Sequence, residues 1–450
     1  MKKNICSAIC RSLAWSLVSS SCFWSIAAQG VDTASPRVES RAGTKALTLD
    51  NAIGLALDNN PELRASRGQI DSATGRARQA KLWSNPELTL NAEDWPVKDG
   101  RGFSDSKDTV GIAQTVPFFG KKRLDGQIGG SGVRLSEAEL SLRRLELIRD
   151  VKVAFCQVLA AERSVEVERD LVKIAEASAN AARKRVASGE SADQEQLRAE
   201  IELEKVNTEL KGFESELVAT RQTLALHLGR PDLAQSPVSG ALAESASFAL
   251  LEHGPEQWLP THPGVVAAQT NCDRAELELR RTRLEPYPDV KVSLEGGRLG
   301  DFNQPIIQMG ISLPLPIIDR AQGKKQEAQA NVRIAEAAKA STEQRLMRAW
   351  GTASQRLRTA QQQVLNFRER ILPKANDALG LVQAGFEQGK FGFNDLLDTQ
   401  RTTAEVRLAY QQKLLELNIA HAELEALAVR EPDTAKTLEL KPSQKKKTKL

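Results

Sequence analysis

The chain has 450 residues, of which 41% are hydrophobic, 27% are charged and 4% are aromatic, with a formal net charge of +4. This composition is typical of helix-rich proteins, and only the C-terminal residues have the basic bias of a nucleic-acid-binding protein. The sequence contains no phosphate-binding loop, His-Glu-x-x-His or Cys-x-x-Cys motif. We therefore expect neither an enzyme nor a cofactor, and no nucleic-acid partner.

The first residues, 1–28, are typical of a signal peptide for export. Lys2 and Lys3 precede a mostly apolar run, and Ser25–Ala27 provides a small-x-small cleavage motif. Two alternatives remain open, namely lipid attachment at Cys22 and retention of the segment as a membrane helix. In each case the chain leaves the cytoplasm.

Outside this segment the chemistry-bearing residues are few. We interpret Cys156 and Cys272 as buried small apolar residues rather than as a disulfide. The histidines and methionines are scattered, so the sequence predicts no metal-ligand cluster. The tail 431–450 is polar and basic, and we expect it to be disordered and solvated.

The same plan occurs twice, in a first repeat at 47–229 and a second repeat at 261–429. Three matched features recur about 200 residues apart: Asn60-Pro61 and His262-Pro263, Asn85-Pro86 and Tyr287-Pro288, and Gly189 and Gly389. The connecting segment 230–260 is rich in proline and glycine, and we expect it to pack around the middle of the molecule.

Each repeat predicts one long helical hairpin. The long arms are predicted at Arg134–Ala187 and Arg320–Glu387, with turns at 187–193 and 387–394. The predicted shorter helices are Pro61–Ser84 and Asp193–Leu228 in the first repeat, and His262–Glu285 and Asn394–Val429 in the second. Their summed lengths match the long arms at about 1.5 Å per residue, so we expect two shorter helices end to end beside each long one. The glycine-rich segment Gly126–Gly132 is predicted to connect the first strand pair to the first long arm, and the long arms are called rods below.

Two strand pairs, at 86–119 and 288–316, interrupt the helices. The strands are predicted at Glu87–Glu93, Thr109–Phe118, Asp289–Glu295 and Ile307–Leu315, with apolar residues at every second position except Gln114. One interpretation is a water-soluble sheet with one face on a core. The other is a set of tilted membrane strands with Trp95, Phe118, Phe119 and Tyr287 in an aromatic girdle. The export signal and the long helical arms favour the interpretation as membrane strands.

Four strands cannot close a barrel, and open sheet edges are not tolerated in lipid. The strands must then be pooled between chains. Two chains give eight strands, whose interior side chains fill, whereas three chains give twelve. A conducting tube therefore needs at least three copies.

The chain resembles TolC-family outer-membrane efflux proteins, and among them the outer-membrane components of heavy-metal pumps of the cobalt–zinc–cadmium type. The stretches that carry the resemblance are Leu47–Ile53, Asn59–Leu63, Ser84–Leu88, Gln114–Lys121, Ser312–Gly323 and Phe386–Gln400. It implies a mainly α-helical fold with a β-barrel: a homotrimer with a twelve-stranded outer-membrane barrel and a long periplasmic helical barrel. It also implies docking to a periplasmic adaptor and an inner-membrane RND-type pump in a Gram-negative bacterium.

The resemblance also implies site residues. Asp395 and Asp398 match acidic residues that line the periplasmic gate, and Gly189 and Gly389 match turns where adaptors dock. Each has a plainer role as well, because carboxylates stabilise helix N-termini and glycines end helices. Period-two alternation places the lipid-facing strand residues at Leu88, Leu90, Val290, Val292, Met309 and Ile311.

The implied function is that of an exit duct for heavy-metal cations. Exit ducts for drugs and organic compounds, or for type I secretion, remain alternatives. A periplasmic adaptor would carry similar hairpins but needs a lipoyl-like or β-barrel domain at their base. A structural coiled-coil protein would not need alternating strands.

Overall fold

The computed structural model describes residues 46–93, 106–189, 191–246, 254–299 and 304–428. The predicted signal peptide, Trp95 and the basic tail lie outside these residues. Within them, the helices and strands follow the same order twice. The first repeat contains α1 (Leu49–Asn59), α2 (Pro61–Lys81), β1 (Glu87–Glu93), β2 (Lys107–Val116), α3 (Lys121–Ala187) and α4 (Asp193–His227). The second contains α5 (Pro263–Thr282), β3 (Val290–Leu299), β4 (Gln304–Ser312), α6 (Gln322–Asn366), α7 (Leu372–Glu387) and α8 (Phe393–Leu427).

Asn60 and His262 are the N-caps of α2 and α5, and both have φ −61° and ψ 127°. The Asn60 Oδ1 accepts from the Glu62 N–H at 2.9 Å, and the His262 Nδ1 accepts from the Gly264 N–H at 3.1 Å. The proline that follows each cap has its φ already set for a first helical turn. The sequence repeat is therefore a repeat of capping geometry.

The first rod is longer than predicted. α3 has 67 residues and is about 100 Å long, and it begins at Lys121 rather than Arg134. Gly126–Gly132 therefore lies inside the helix, and the prediction of a connecting segment was wrong. Gly129 is needed where it stands, since an added Cβ would lie 2.7 Å from the Ala77 Cα. Gly129 lets α2 and α3 approach closely, which offsets its low helix propensity.

The sequence predicted the second rod as one continuous helix, and this prediction was wrong. A π-helical turn at Phe367–Ile371 separates α6 from α7, and the Leu372 N–H bonds to the Phe367 carbonyl five residues earlier. The cause is Pro373, which has no N–H and whose ring clashes with the carbonyl four residues back.

The described elements form one ribbon that is four elements wide along its length. In the sheet the order is β1-β2-β3-β4, with every neighbouring pair antiparallel. Near the sheet the helix order is α2-α3-α5-α6, and farther away α4 and α8 replace α2 and α5 beside the rods. Two shorter helices therefore lie along each long one, as predicted. The strand at each position continues into the helix at that position.

The strand bounds differ from the predicted ones at the ends nearest the helices. β2 ends at Val116 before Pro117, and β4 ends at Ser312, so Phe118, Leu313 and Leu315 lie outside the strands. Prolines cannot donate to a sheet ladder, which explains both ends. At the other end β2 and β4 begin earlier than predicted and β3 runs on to Leu299.

Two large core clusters lie in the middle of the ribbon, one built mainly from each repeat, and a smaller third cluster lies at the hairpin tips. The first contains Leu63, Val151, Phe155, Val158, Leu224 and Leu228. The second contains Trp258, Trp350, Leu357, Leu414, Leu417 and Leu424. The described part of the connecting segment bonds to the second repeat: the Ala246 N–H donates to the Gln361 Oε1 at 2.8 Å, and Ala243 and Asn418 exchange two hydrogen bonds. Cys156 and Cys272 are both free thiols; Cys272 is buried as predicted, whereas Cys156 is only half-buried.

Across the described ranges, no helix combines the length and apolar character needed to span a bilayer.

Candidate functional sites: the sheet face and the hairpin tips

One face of the sheet is apolar across all four strands. The register places Leu88 opposite Ile112, Ile112 opposite Leu294, and Leu294 opposite Met309. Leu88 is 70% exposed and Met309 82% exposed. The residues predicted to face lipid all point to this side, since alternation and register place Leu88, Leu90, Val290, Val292, Met309 and Ile311 together. A contiguous exposed apolar surface of this kind marks a site that contacts a membrane or another protein.

The opposite face of the sheet is polar. The Glu295 Oε2 accepts hydrogen bonds from the Asn91 Nδ2 at 3.1 Å and the Thr109 Oγ1 at 3.0 Å. Gly111 leaves the space that Glu295 occupies, because an added Cβ would lie 2.3 Å from its Cγ. The ion pairs Lys107–Glu93 and Lys291–Glu87 bridge neighbouring or next-nearest strands on this face. The polar network suits contact with water, and the contrast between faces is that of a membrane strand.

Gly189 and Gly389 end the long arms at the hairpin tips. Their φ angles are +80° and +72°, and their N–H groups bond to the carbonyls of Val186 and Phe386 at 3.0 Å. No other group lies within 4 Å of the position that a Cβ would take at either glycine. The helix-ending role is thus confirmed, and adaptor docking at these exposed turns stays a prediction.

Asp395 and Asp398 are both exposed at the start of α8. The Asp395 Oδ2 accepts a hydrogen bond from the Gly392 N–H at 3.0 Å, so Asp395 does cap this helix. No described hydrogen bond engages the Asp398 carboxylate, which lies about one turn further on. The cap role of Asp395 is therefore confirmed, whereas the gating role of both residues stays a prediction.

Behind these carboxylates, an ion pair ties the two hairpins together. The Arg401 guanidinium on α8 donates to both oxygens of Glu202 on α4, with the Nε 2.6 Å from the Oε1. Glu202 is buried, and the hydrogen bonds from Arg401 lower the pKa of its carboxyl despite desolvation. The pair therefore holds its charge at neutral pH. Sequence reasoning missed it, because no local pattern links residues on different hairpins.

Further contacts join the tips around this pair. The Arg198 Nη1 lies 3.4 Å from the Asn394 Oδ1. Phe393 packs on Ala179, Ala182 and Ala199, where small side chains bring the helices close. The Arg185 guanidinium lies 5.3 Å from the centre of the Phe386 ring. Among these tip contacts, Arg401–Glu202 is the bidentate, charge-assisted one.

Higher on the first hairpin, Glu168 is buried between helices with 1% of its surface exposed. Its Oε1 has no hydrogen-bond partner. Burial, and then the charge of Glu209, raises the pKa of this carboxyl to about 7, against the opposing charge of Lys205. Glu168 therefore titrates near neutral pH.

Within the described residues, no group of three or more His, Cys, Asp or Glu side chains is arranged to hold a metal ion. A metal that passes through the protein is a substrate and does not require such a site.

The fold, a helical ribbon continuous with an amphipathic four-stranded sheet, is that of an outer-membrane efflux channel. Residues 52–230 and 254–428 match the family described as outer membrane efflux protein, and the chain belongs to this family. The two matched segments correspond to the two repeats.

Two curated relatives and one solved structure show the breadth of the similarity. The chain is 29% identical over 395 residues to the cobalt-zinc-cadmium resistance protein CzcC of Cupriavidus metallidurans, covering 86% of this chain and 91% of that protein. It is 22% identical to the nickel-cobalt-cadmium resistance protein NccC of Alcaligenes xylosoxydans xylosoxydans, covering 62% of each. A crystal structure of CusC superposes with a TM-score of 0.73 at 15% identity, covering 84% of this chain and 91% of that chain, which shows the shared fold.

Proposed function

We propose that three copies of the chain close their ribbons into one duct through the outer membrane of a Gram-negative bacterium. The observation that carries this proposal is the ribbon with two unpartnered edges. β1 and β4 lack a neighbour on one side within the described chain. Open strand edges are not tolerated in lipid, and three copies give the twelve strands that leave a conducting interior.

The helical layer has matching open edges. On one side α4 exposes Leu197 and Ile201, which are 59% and 68% exposed. On the other side α7 exposes Leu381, which is 71% exposed. Leu197 and Ile201 lie on the outer surface of α4 and Leu381 on that of α7, and both surfaces are near the hairpin tips. Contact between the α4 edge of one copy and the α7 edge of the next buries them and continues the ring.

In this arrangement the protein is the exit duct of a tripartite efflux system. An inner-membrane RND-type pump drives transport, a periplasmic adaptor docks at the tips with Gly189 and Gly389, and the duct conducts passively. Rods about 100 Å long suit a path across the periplasm. The names of the relatives, which are resistance proteins for cobalt, zinc, cadmium and nickel, support heavy-metal cations as cargo.

The tips form the gate. A threefold axis brings three copies each of Asp395 and Asp398 around the entrance, and rings of carboxylates attract cations and repel anions. The Arg401–Glu202 pair holds the second hairpin against the first. The closed state thus keeps the acidic rings narrow, and opening requires the second hairpin to move.

The location and assembly are tested by fractionation. The protein is expected in the outer-membrane fraction after a carbonate wash, as a trimer that dissociates on heating. A protein released by the wash would support a periplasmic adaptor or a structural protein instead.

The cargo is tested by gene deletion. Loss of the gene should sensitise cells to cobalt, zinc or cadmium salts, and the intact gene should restore growth. Sensitivity to drugs without any change in metal tolerance would assign the duct to organic compounds, and loss of a secreted protein would assign it to type I secretion.

A further inference from the structure

Exposed apolar residues surround the sheet at its junction with the helices. Each of the four connections between a strand and a helix carries at least one large apolar side chain on its surface. Trp83 precedes β1, Phe119 follows β2, Tyr287 precedes β3 and Ile318 follows β4. Phe119 is 93% exposed and Ile318 is 89% exposed. Together they place exposed apolar surface on every connection between the sheet and the helices.

Directly below these residues, both rods begin with basic residues. The first turn of α3 contains Lys121, Lys122 and Arg123, and that of α6 contains Lys324 and Lys325. Neither first turn contains an acidic residue, and neither helix has a side-chain cap. The partial charge at a helix N-terminus is positive, so cations there are unfavourable within the chain. Lys81 and Arg283, in contrast, lie at helix C-terminal ends, where the same effect favours them.

The carboxylates at this level pair with only some of these cations, and Asp319 instead accepts a hydrogen bond from the Ala321 N–H at 2.8 Å. Asp289 binds Lys121 at 2.8 Å, and Asp125 and Glu285 bind Arg281 at 2.8 and 2.7 Å. Asp125 also lies 4.0 Å from Lys122. Among the described ion pairs none engages Arg123, Lys324 or Lys325, and Arg123 and Lys324 are exposed. Arg320, also exposed, adds a further cation just before α6.

We propose that this collar, made of Trp83, Phe119, Tyr287 and Ile318 with Arg123, Arg320, Lys324 and Lys325 below them, binds the anionic headgroups of phospholipids in the periplasmic leaflet. The inference rests on the proposed membrane insertion of the sheet. The apolar residues then lie at the lipid boundary, and the cations lie at the depth of the phosphates. Anionic lipid offsets the unfavourable placement of these cations at helix N-termini and sets the depth of the duct.

The test uses the purified trimer in a neutral detergent, with added phosphatidylglycerol or phosphatidylcholine. Native mass spectrometry counts retained lipids, and a thermal scan follows dissociation of the trimer. Phosphatidylglycerol should be retained preferentially and should raise the dissociation temperature more. The collar variant Arg123→Gln/Lys324→Gln/Lys325→Gln should bind phosphatidylglycerol about tenfold more weakly. Inorganic phosphate at the same concentration should not reproduce the shift.

The matched control is Arg358→Gln/Lys211→Gln/Lys374→Gln, which removes one arginine and two lysines, all exposed on helices away from the sheet. It should keep the preference for phosphatidylglycerol. Equal retention of the two lipids by the native trimer, or an unchanged preference in the collar variant, would overturn the proposal. Loss of binding to peptidoglycan alone in the collar variant would reassign the surface to that polymer.

Insertion into pure phosphatidylcholine bilayers separates this inference from the proposed function. Native trimers that insert and conduct there, without any headgroup preference, refute the collar and leave the duct intact. Trimers that insert into no bilayer refute both.

Discussion

The Asn60 Nδ2 donates a hydrogen bond to the His227 carbonyl at 3.0 Å, which joins the start of α2 to the end of α4. Gly229, with φ +66°, allows this junction, because an added Cβ would lie 2.6 Å from the Asn59 carbonyl oxygen. In the second repeat His262 takes the place of Asn60, and none of its described hydrogen bonds reaches α8. A cleft of about 530 Å³ lies there instead, lined by His262 and Arg345 among others. The two repeats therefore share a plan but close their junctions differently.

This difference predicts that the stability of the protein depends on pH through His262. Burial, and then the charge of Arg345, lowers the pKa of His262. The folded state therefore binds this proton less readily than the unfolded chain, so stability falls as the pH drops below about 6.5. His262→Asn keeps a capping side chain like Asn60 and removes the titration. Thermal dissociation of trimers between pH 5 and 8 should show a smaller acid loss in the variant. An unchanged acid loss would rule out His262 as its source.

Glu168 predicts a pH dependence of the opposite sign. Because its pKa is raised from 4.5 to about 7, the folded state holds this proton more tightly than the unfolded chain. Its contribution to stability therefore falls as the pH rises from about 4.5 through 7. Glu168→Gln should stabilise the trimer at pH 8 by on the order of 2 kcal/mol, and by much less at pH 4. Glu166→Gln, on the exposed side of the same helix, is the control. A variant that is less stable than the native chain at pH 8 would contradict a strained, unpartnered carboxylate.

The two faces of the sheet predict opposite responses to a lysine. Met309→Lys places a charge on the apolar face, at a cost of about 2–4 kcal/mol near the bilayer midplane. Gln308→Lys, one residue away, places it on the polar face opposite Glu295. The first variant should lower the yield of assembled trimer in the outer membrane, while the second should leave it near the native level. Equal yields, measured by immunoblot of unheated samples, would reject the lipid-facing assignment.

The Arg401–Glu202 pair predicts a change in gating. Arg401→Ala frees the second hairpin and leaves the Glu202 carboxylate without its bidentate partner. The open state should become more populated, and cells should admit large antibiotics that the native duct excludes. Arg407→Ala, which removes the Arg407–Asn376 hydrogen bond of 2.8 Å within the second hairpin, is the control. A closed duct in the Arg401 variant, with trimer levels unchanged, would show that other contacts hold the gate.

The sequence predicted what depends on local chemistry. The Asn-Pro and His-Pro pairs predicted where α2 and α5 begin, and the alternation of Leu88 and Leu90 predicted a two-faced strand. The failures have physical causes. Gly129 looked like a connector because its contact with Ala77 on another helix is invisible locally. Arg401 and Glu202 are 199 residues apart and meet only after both hairpins fold.

The central claim, a trimeric duct with an acidic gate, is tested most directly in planar bilayers. Purified trimers should insert as discrete conductance steps, and divalent or trivalent cations added on the side of the hairpin tips should block them. Asp398→Ala should weaken this block and raise the conductance without loss of a cap, and Asp395→Ala/Asp398→Ala should do so further. The loss of the Asp395 cap alone costs about 0.5–2 kcal/mol of stability and should not change block in surviving trimers. Intact trimers that insert without conducting would contradict the duct, and conductance with unchanged block in both variants would contradict the acidic gate.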